Sequence, residues 1–157
     1  MSSNKKIDKL KQYLTFDVGN EIYGLELKQA KEIIKPPKIT NVPNTDDYIL
    51  GVINLRGQVI PVINLKNKLG LNYEIDQNKR QDKKIVVINI NKMLIGLFVD
   101  GVNEVIKLSV QEIEDVNDNK AGIKEEFIQG VTTFEDSLII ILNINNLLFK
   151  EEVEKGA

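Results

Sequence analysis

Ile22-Tyr23-Gly24-Leu25-Glu26-Leu27, followed by Lys31-Glu32-Ile33-Ile34-Lys35, returns later in the same chain as Leu94-Ile95-Gly96-Leu97-Phe98-Val99, followed by Asn103-Glu104-Val105-Ile106-Lys107. The correspondence extends outward. Tyr48-Ile49-Leu50-Gly51-Val52-Ile53 returns as Phe127-Ile128-Gln129-Gly130-Val131-Thr132, and Val59-Ile60-Pro61-Val62-Ile63-Asn64-Leu65 as Leu138-Ile139-Ile140-Ile141-Leu142-Asn143-Ile144. Each copy closes on a Leu-containing stretch, Asn67-Lys68-Leu69 against Asn146-Leu147-Leu148. Any two β-rich segments share Ile, Val and Leu by composition, but here Gly and Glu also fall in matched register. Such self-similarity marks tandem copies of one supersecondary unit.

Most of each copy reads as strand. Residues 13–18 alternate and are rich in β-branched and aromatic side chains, and Gly19-Asn20 turns them into 22–27. Residues 28–30 read as a helical turn or bend, and 32–35 as a short strand stopped by Pro36-Pro37. A hairpin follows, 49–55 and 59–65 about a turn at Arg56-Gly57-Gln58, then a helical turn over 66–71. The polar stretch 72–84 suits a connector. The second copy runs through 85–91, 93–100 and 104–108, a polar loop over 116–126, and a hairpin of 128–134 with 138–143. Residues 145–152 close it, with helical spacing at Ile144, Leu147 and Leu148. The expected fold is therefore all-β: one domain over 13–149, made of two pseudo-symmetric five-stranded barrels at about 13–71 and 85–149, with a short C-terminal helix. Closure into barrels removes edge strands that invite aggregation. Each unit alone is near the size at which a core is marginal, so the two are expected to share an apolar seam, and strand exchange near the termini is compatible with that.

Composition narrows the chemistry. The 157 residues are 42% apolar and 28% charged, as in globular proteins. A net charge of −2 provides no basic field for nucleic acid. Residues 1–12 are polar and Lys-rich, unlike a signal peptide, and no run approaches the ~20 apolar residues of a membrane span, so a cytoplasmic protein is expected. The chain has no His, Cys or Trp. Thiol nucleophiles, Ser-His-Asp triads and zinc sites of imidazole or thiolate are thereby excluded. Its ten glycines are scattered singly, so no phosphate-binding loop is present. The acid pairs Asp46-Asp47, Asp115 with Asp118, and Glu125-Glu126 lie in polar stretches and read as solvated loop residues rather than catalysts. A nucleic-acid-binding small barrel would need a basic groove with stacking aromatics, whereas Phe16, Tyr23, Phe98, Phe127 and Phe134 fall mostly at core-like positions.

The copies diverge at their hairpin tips. Asn54-Leu55-Arg56-Gly57-Gln58 carries a cation where Thr133-Phe134-Glu135-Asp136-Ser137 carries two acids. Arg56 and Arg80 are the only arginines among 21 cationic side chains, and Arg80 lies in the charged connector. A guanidinium offers five donors in a plane and pairs with a carboxylate in fixed geometry, which lysine does not reproduce. Two readings of Arg56 stand side by side, a built contact or a solvated surface arginine. Glu32 and Asp100 likewise read either as contact residues or as solvated strand ends. Pro61 cannot donate to a ladder and so marks an edge or bulged position.

Gly51-Val52-Ile53-Asn54-Leu55-Arg56-Gly57 with Val59-Ile60-Pro61-Val62-Ile63-Asn64-Leu65 resembles the signature of the CheW-like coupling domain of bacterial chemotaxis. Tyr23-Gly24 with Glu32-Ile33, Val99-Asp100-Gly101-Val102 with Glu104-Val105, and the Gly130 hairpin leading to Leu147-Leu148 are similar to that family too. The resemblance covers about residues 13–149. There is no room for ATP-binding, phosphotransfer or receiver modules, so the chain resembles the stand-alone adaptors of the family. The resemblance implies Src-homology-3-like barrels, no catalysis and no cofactor. It implies a cytoplasmic scaffold at receptor arrays, joining the tips of methyl-accepting chemoreceptors to the regulatory domain of the histidine kinase CheA, with no nucleic acid and no membrane insertion. Carried over by position, Ala30, Glu32, Gly51 and Arg56 are expected to contact the receptor. Val99, Asp100 and Val102 would line the other side of the groove by the repeat relation. Kinase contacts are expected around Ile39 and Val42 and in the loop after Asp115.

Overall fold

The structure, a computed structural model, describes residues 9–71, 82–115 and 123–149. Most of the expected connector, with Arg80, lies outside the described residues, as do Asp118 and the end of the closing segment beyond Phe149.

Among the described residues ten strands form in chain order. The first half supplies β1 (Leu10–Val18), β2 (Glu21–Glu26), β3 (Ala30–Ile34), β4 (Ile49–Leu55) and β5 (Gln58–Asn64), with a 3-10 turn at Leu27–Gln29 and a short helix α1 (Leu65–Lys68). The second supplies β6 (Lys84–Ile90), β7 (Met93–Val99), β8 (Gly101–Ser109), β9 (Ile128–Phe134) and β10 (Ser137–Leu142), with 3-10 turns at Val110–Glu112 and Glu125–Phe127 and a closing helix α2 (Ile144–Phe149). Both helices start on an asparagine in the repeated position. The Asn64 side chain accepts from the Lys66 N–H at 3.2 Å, and that of Asn143 from the Asn146 N–H at 3.0 Å. Each cap satisfies a helix N–H that has no partner within the helix.

The strands assemble into two five-stranded sheets, ordered β8-β1-β2-β10-β9 and β3-β6-β7-β5-β4. Neither sheet is built from one half of the chain. The first two strands of each copy join the last three strands of the other, through parallel pairing of β2 with β10 and of β7 with β5. The registers repeat across the duplication. Gly24 lies opposite Ile141 as Gly96 lies opposite Val62, and Tyr13 opposite Ile106 as Ile85 lies opposite Ile34. Pro61 stands just before the β5–β7 ladder, which begins at Val62, and β5 is not an edge strand.

Three apolar clusters explain why the strands carry so little polar alternation. Tyr13, Ile106, Leu108, Ile139 and Ile141 fill the first sheet. Ile53, Ile60, Val62, Ile85 and Val87 fill the second, with Ile34 from one edge strand and Leu55 from the other packed against them. The largest cluster lies between the sheets and takes Leu14, Phe16 and Tyr23 from one and Val86, Ile88 and Leu97 from the other. Strands β6 and β10 thus bury both faces, and read as unbroken apolar runs.

A segment from each crossover returns to an outer strand. Thr40 bridges Val52 on β4, and Glu114 bridges Val131 on β9. This close approach sets the repeated glycine. A Cβ on Gly51 would lie 2.1 Å from the Thr40 carbonyl oxygen, and one on Gly130 2.7 Å from that of Glu114. Gly51 also has φ +146°, whereas Gly57, at φ +86°, faces open space.

Gly51→Ala should therefore cost more than the 1–3 kcal/mol typical of backbone strain alone, because the returning segment must also move. Gly57→Ala should cost about 1–2 kcal/mol for its left-handed φ. Urea unfolding of the two variants measures both.

Candidate functional site

The β4–β5 connection is a two-residue turn, Leu55 facing Gln58, with Arg56 at φ 51° and Gly57 at φ 86°. Positive φ at both central residues matches the type I′ hairpin, whose twist suits the flanking strands. The Asn54 side chain accepts from the Gly57 N–H at 2.8 Å and pins the tip. Glu135-Asp136 adopts the same left-handed pair between β9 and β10. The backbone is shared by both copies, so what singles out Arg56 is its side chain.

That side chain reaches Glu32 on edge strand β3. Nη1 donates to Oε1 at 3.3 Å and Nη2 donates to Oε2, a two-point contact between guanidinium and carboxylate. Arg56 keeps 66% of its side-chain surface exposed and Glu32 25%. The Arg56 hydrogen bonds, and then its charge, hold the Glu32 carboxyl below the usual glutamate range, and Glu32 in turn raises the guanidinium. The pair joins the hairpin tip to the opposite edge of the sheet. It leaves Ile33, beside Glu32, and Val59, on the same hairpin as Arg56, exposed.

The remaining expected receptor residues are arranged differently. Ala30 ends the Leu27–Gln29 turn, its N–H donating to the Leu27 carbonyl, and is half-buried against the core between the sheets. Gly51 sits under the Thr40 backbone. Val99 is buried in the inter-sheet core, and Val102 is packed partly against it. Asp100, between β7 and β8, is a clamp. It accepts from the Gly19 N–H at 2.7 Å and from Lys83 Nζ at 2.6 Å, while its own N–H donates to the Asp17 carbonyl at 2.9 Å. It ties the β1–β2 turn of one sheet to the approach to β6 in the other.

Of the expected kinase-contact residues, Ile39 packs partly into the second sheet's core. Val42 is half-buried, its carbonyl accepting from the Thr45 hydroxyl at 3.0 Å. Asp115 is exposed, with residues 116–122 beyond it outside the described residues. Phe16, Tyr23 and Phe127 are buried, so they form no base-stacking platform. The sequence reading missed Lys83, whose only sign is its position before an apolar strand. It also missed Thr15, a buried polar side chain where the other copy has Val87.

Arg56→Ala should raise the Glu32 carboxyl titration toward the ordinary range, observable by side-chain NMR. Glu32 is depressed in the folded state, so whatever the pair adds to stability is present above the unfolded glutamate pKa and is lost as pH falls through the lowered value. Asp100→Ala leaves the Gly19 N–H and Lys83 without this acceptor and should cost about 1–3 kcal/mol in urea unfolding.

Residues 12–152 match the family described as the CheW-like domain. The chain is 35% identical over 144 residues to the chemotaxis protein CheW of Bacillus subtilis, covering 91% of this chain and 90% of that one. It is 33% identical over 150 residues to the chemotaxis protein CheW of Helicobacter pylori, covering 96% and 88%. The crystal structure of the scaffolding protein TtCheW from Thermoanaerobacter tengcongensis superposes with a TM-score of 0.77 at 33% identity, covering 92% of this chain and 94% of that one. With the duplicated sheets and the Asn-Leu-Arg-Gly hairpin, these matches establish that the chain belongs to the CheW-like domain family.

Proposed function

We propose that this protein is a non-catalytic chemotaxis scaffold that couples the cytoplasmic tips of chemoreceptors to the regulatory domain of the histidine kinase CheA. The observation that carries the reading is the Arg56–Glu32 pair, presented at an exposed hairpin tip, with exposed Ile33 and Val59 on the opposite face of the same sheet. Apolar surface supplies contact area, and a guanidinium already oriented by a carboxylate supplies register for a helical receptor tip. The pairing also keeps a long side chain from being ordered anew on binding. Kinase contact is assigned to the region around Ile39 and Val42, and to the region after Asp115. Receptor contact is assigned to Arg56, Glu32, Ala30 and Gly51 on one side of the groove. Val99, Asp100 and Val102 form the opposite wall, with Asp100 and the buried Val99 acting through backbone placement.

The mechanism is positioning. Two modest interfaces bind weakly one at a time, and engaging both at once raises the effective concentration of receptor near kinase. Location at receptor arrays on the cytoplasmic side follows from such partners. No helix among the described residues is long and apolar enough to cross a membrane, so attachment would run through the receptor.

Calorimetric titration with a CheA regulatory domain and with a receptor-tip fragment tests the proposal. Saturable binding to both is expected. Arg56→Glu should fold normally and weaken the receptor arm by roughly tenfold or more, as loss of an interfacial charge contact does, with the kinase arm unchanged. Binding to neither partner would overturn the reading, and an Arg56→Glu variant with full receptor affinity would remove Arg56 from it.

A further inference from the structure

The reciprocal exchange that completes the two sheets leaves its two elements tied in different ways. The β6–β7 hairpin continues into the chain at both ends. The β1–β2 hairpin, among the described residues, has a single connection, the 3-10 turn Leu27–Gln29, which leads from the first sheet directly into β3 of the second. Yet β1 and β2 are not edge strands. They fill the middle of the first sheet, with β8 on one side and β10 on the other, and supply Tyr13, Leu14, Phe16, Val18, Tyr23 and Leu25 to two cores.

That connection is lightly held. Leu27 packs only partly against the inter-sheet core, the turn has no side-chain cap, and its closing bond is the Ala30 N–H donating to the Leu27 carbonyl. Such i→i+3 bonds have poor geometry. The Lys28–Glu26 ion pair at its start, 3.4 Å, leaves 74% of the Lys28 side chain exposed, and pairs so exposed hold a turn weakly. Both flanks are already extended, Glu26 at φ −62°, ψ 129° and Ala30 at φ −82°, ψ 121°. Straightening the turn therefore runs β2 into β3 as one strand from Glu21 to Ile34. The polar contacts that seat the hairpin come from elsewhere. The Thr15 hydroxyl donates to the Glu104 carbonyl at 2.7 Å, the Asn103 amide to Asp17 at 3.0 Å, and the Gly19 N–H to Asp100 at 2.7 Å. A second copy of the chain presents the same residues 100–104.

We propose that β1–β2 is an exchangeable element: with the Leu27–Gln29 turn straightened, it enters the first sheet of a second copy of this chain, while that copy's hairpin fills the place it left. The resulting dimer reproduces the contacts of both sheets and changes only the hinge. Its stability relative to two monomers then reduces to the turn and to the concentration at which a second copy competes with the chain's own hairpin. Register fixes the occupant, since Tyr13 must meet Ile106 and Tyr23 must meet Ile140. The chain already makes this exchange between its own two halves. Withdrawing the hairpin opens two cores, so the exchange takes place on refolding and not within the folded protein. The inference does not depend on the chemotaxis role.

The chain has no cysteine, so a disulfide can report the exchange. Gln12 on β1 and Lys107 on β8 are exposed register partners, and directly opposed strand positions lie within disulfide reach. Full-length Gln12→Cys and Lys107→Cys variants are mixed in urea, refolded together at micromolar or at about millimolar concentration, where a second copy rivals a short tether, and oxidised. The concentrated sample should give a dimer by light scattering, with a disulfide between the two variant chains identified by peptide mapping. The dilute sample should give monomer without that bond, as should variants mixed without unfolding. A dimer lacking the disulfide would overturn the proposal, because surface association leaves Gln12 opposite Lys107 of its own chain. Monomer at both concentrations would overturn it, and so would equal cross-linking of variants never unfolded. Inserting two glycines after Lys28 relaxes the hinge and should lower the dimer fraction several-fold; an unchanged fraction would overturn the proposal by placing the hinge elsewhere.

Discussion

The central strands of each sheet must serve two cores at once, and the rest of the architecture depends on that constraint. In β6, Ile85 and Val87 face the interior of their own sheet while Val86 and Ile88 face the other sheet. In β10, Ile139 and Ile141 divide from Ile140 and Leu142 in the same way. A strand with no polar face cannot lie at the surface of a one-sided sheet, because every register would expose apolar side chains. The reciprocal exchange of β1-β2 and β6-β7 resolves this. Each half of the chain completes its sheet with strands from the other, and the large inter-sheet core is contributed by both halves. No half-length unit has a complete sheet to fold around. The Asp100 clamp reinforces the same junction with a carboxylate whose partners come from both sheets.

With the framework fixed twice over, the hairpin tips are free to differ. The β4–β5 and β9–β10 turns share one backbone geometry, which therefore leaves the side chains as the variables. In one sheet Arg56 and Glu32 form a closed pair; in the other Glu104 and Glu135 leave a negative cleft. A duplicated fold thus offers two faces of related shape and unlike charge. One carries a cation at its tip, and the other carries two acids there.

Much of this was legible before the structure. The repeat, the all-β class and the shared seam can be read from residue pattern, which for Arg56 leaves a built contact and a solvated surface side chain both open. The long-range partnerships cannot. Sequential strands usually pair with each other, and nothing local to Tyr23 or Ile140 signals that β2 and β10 will run parallel. The apolar continuity of 138–142 is the one trace of it, since such runs belong to strands buried on both faces. Gly51 is expected by resemblance to be a contact residue, and the lack of a Cβ there is required in any case by the Thr40 carbonyl passing over it, which nothing local in the sequence signals. Asp100 read as either a groove residue or a solvated strand end. Its acceptor role toward Gly19 spans 81 positions of sequence, which no spacing rule reaches.

The central claim is that the two sheets form one cooperative unit through the exchanged strands and the core between them. The chain has no tryptophan, so one can be placed to report on each sheet alone, by Phe98→Trp in the second and Phe134→Trp in the first. Urea unfolding of each single variant, followed by tryptophan fluorescence and by far-ultraviolet circular dichroism, is the direct measurement. Coincident transitions within each variant, and one common slope against denaturant, are expected of a single two-state unit. Fluorescence and circular dichroism transitions that separate, with one sheet melting while the other stays folded, would contradict the account.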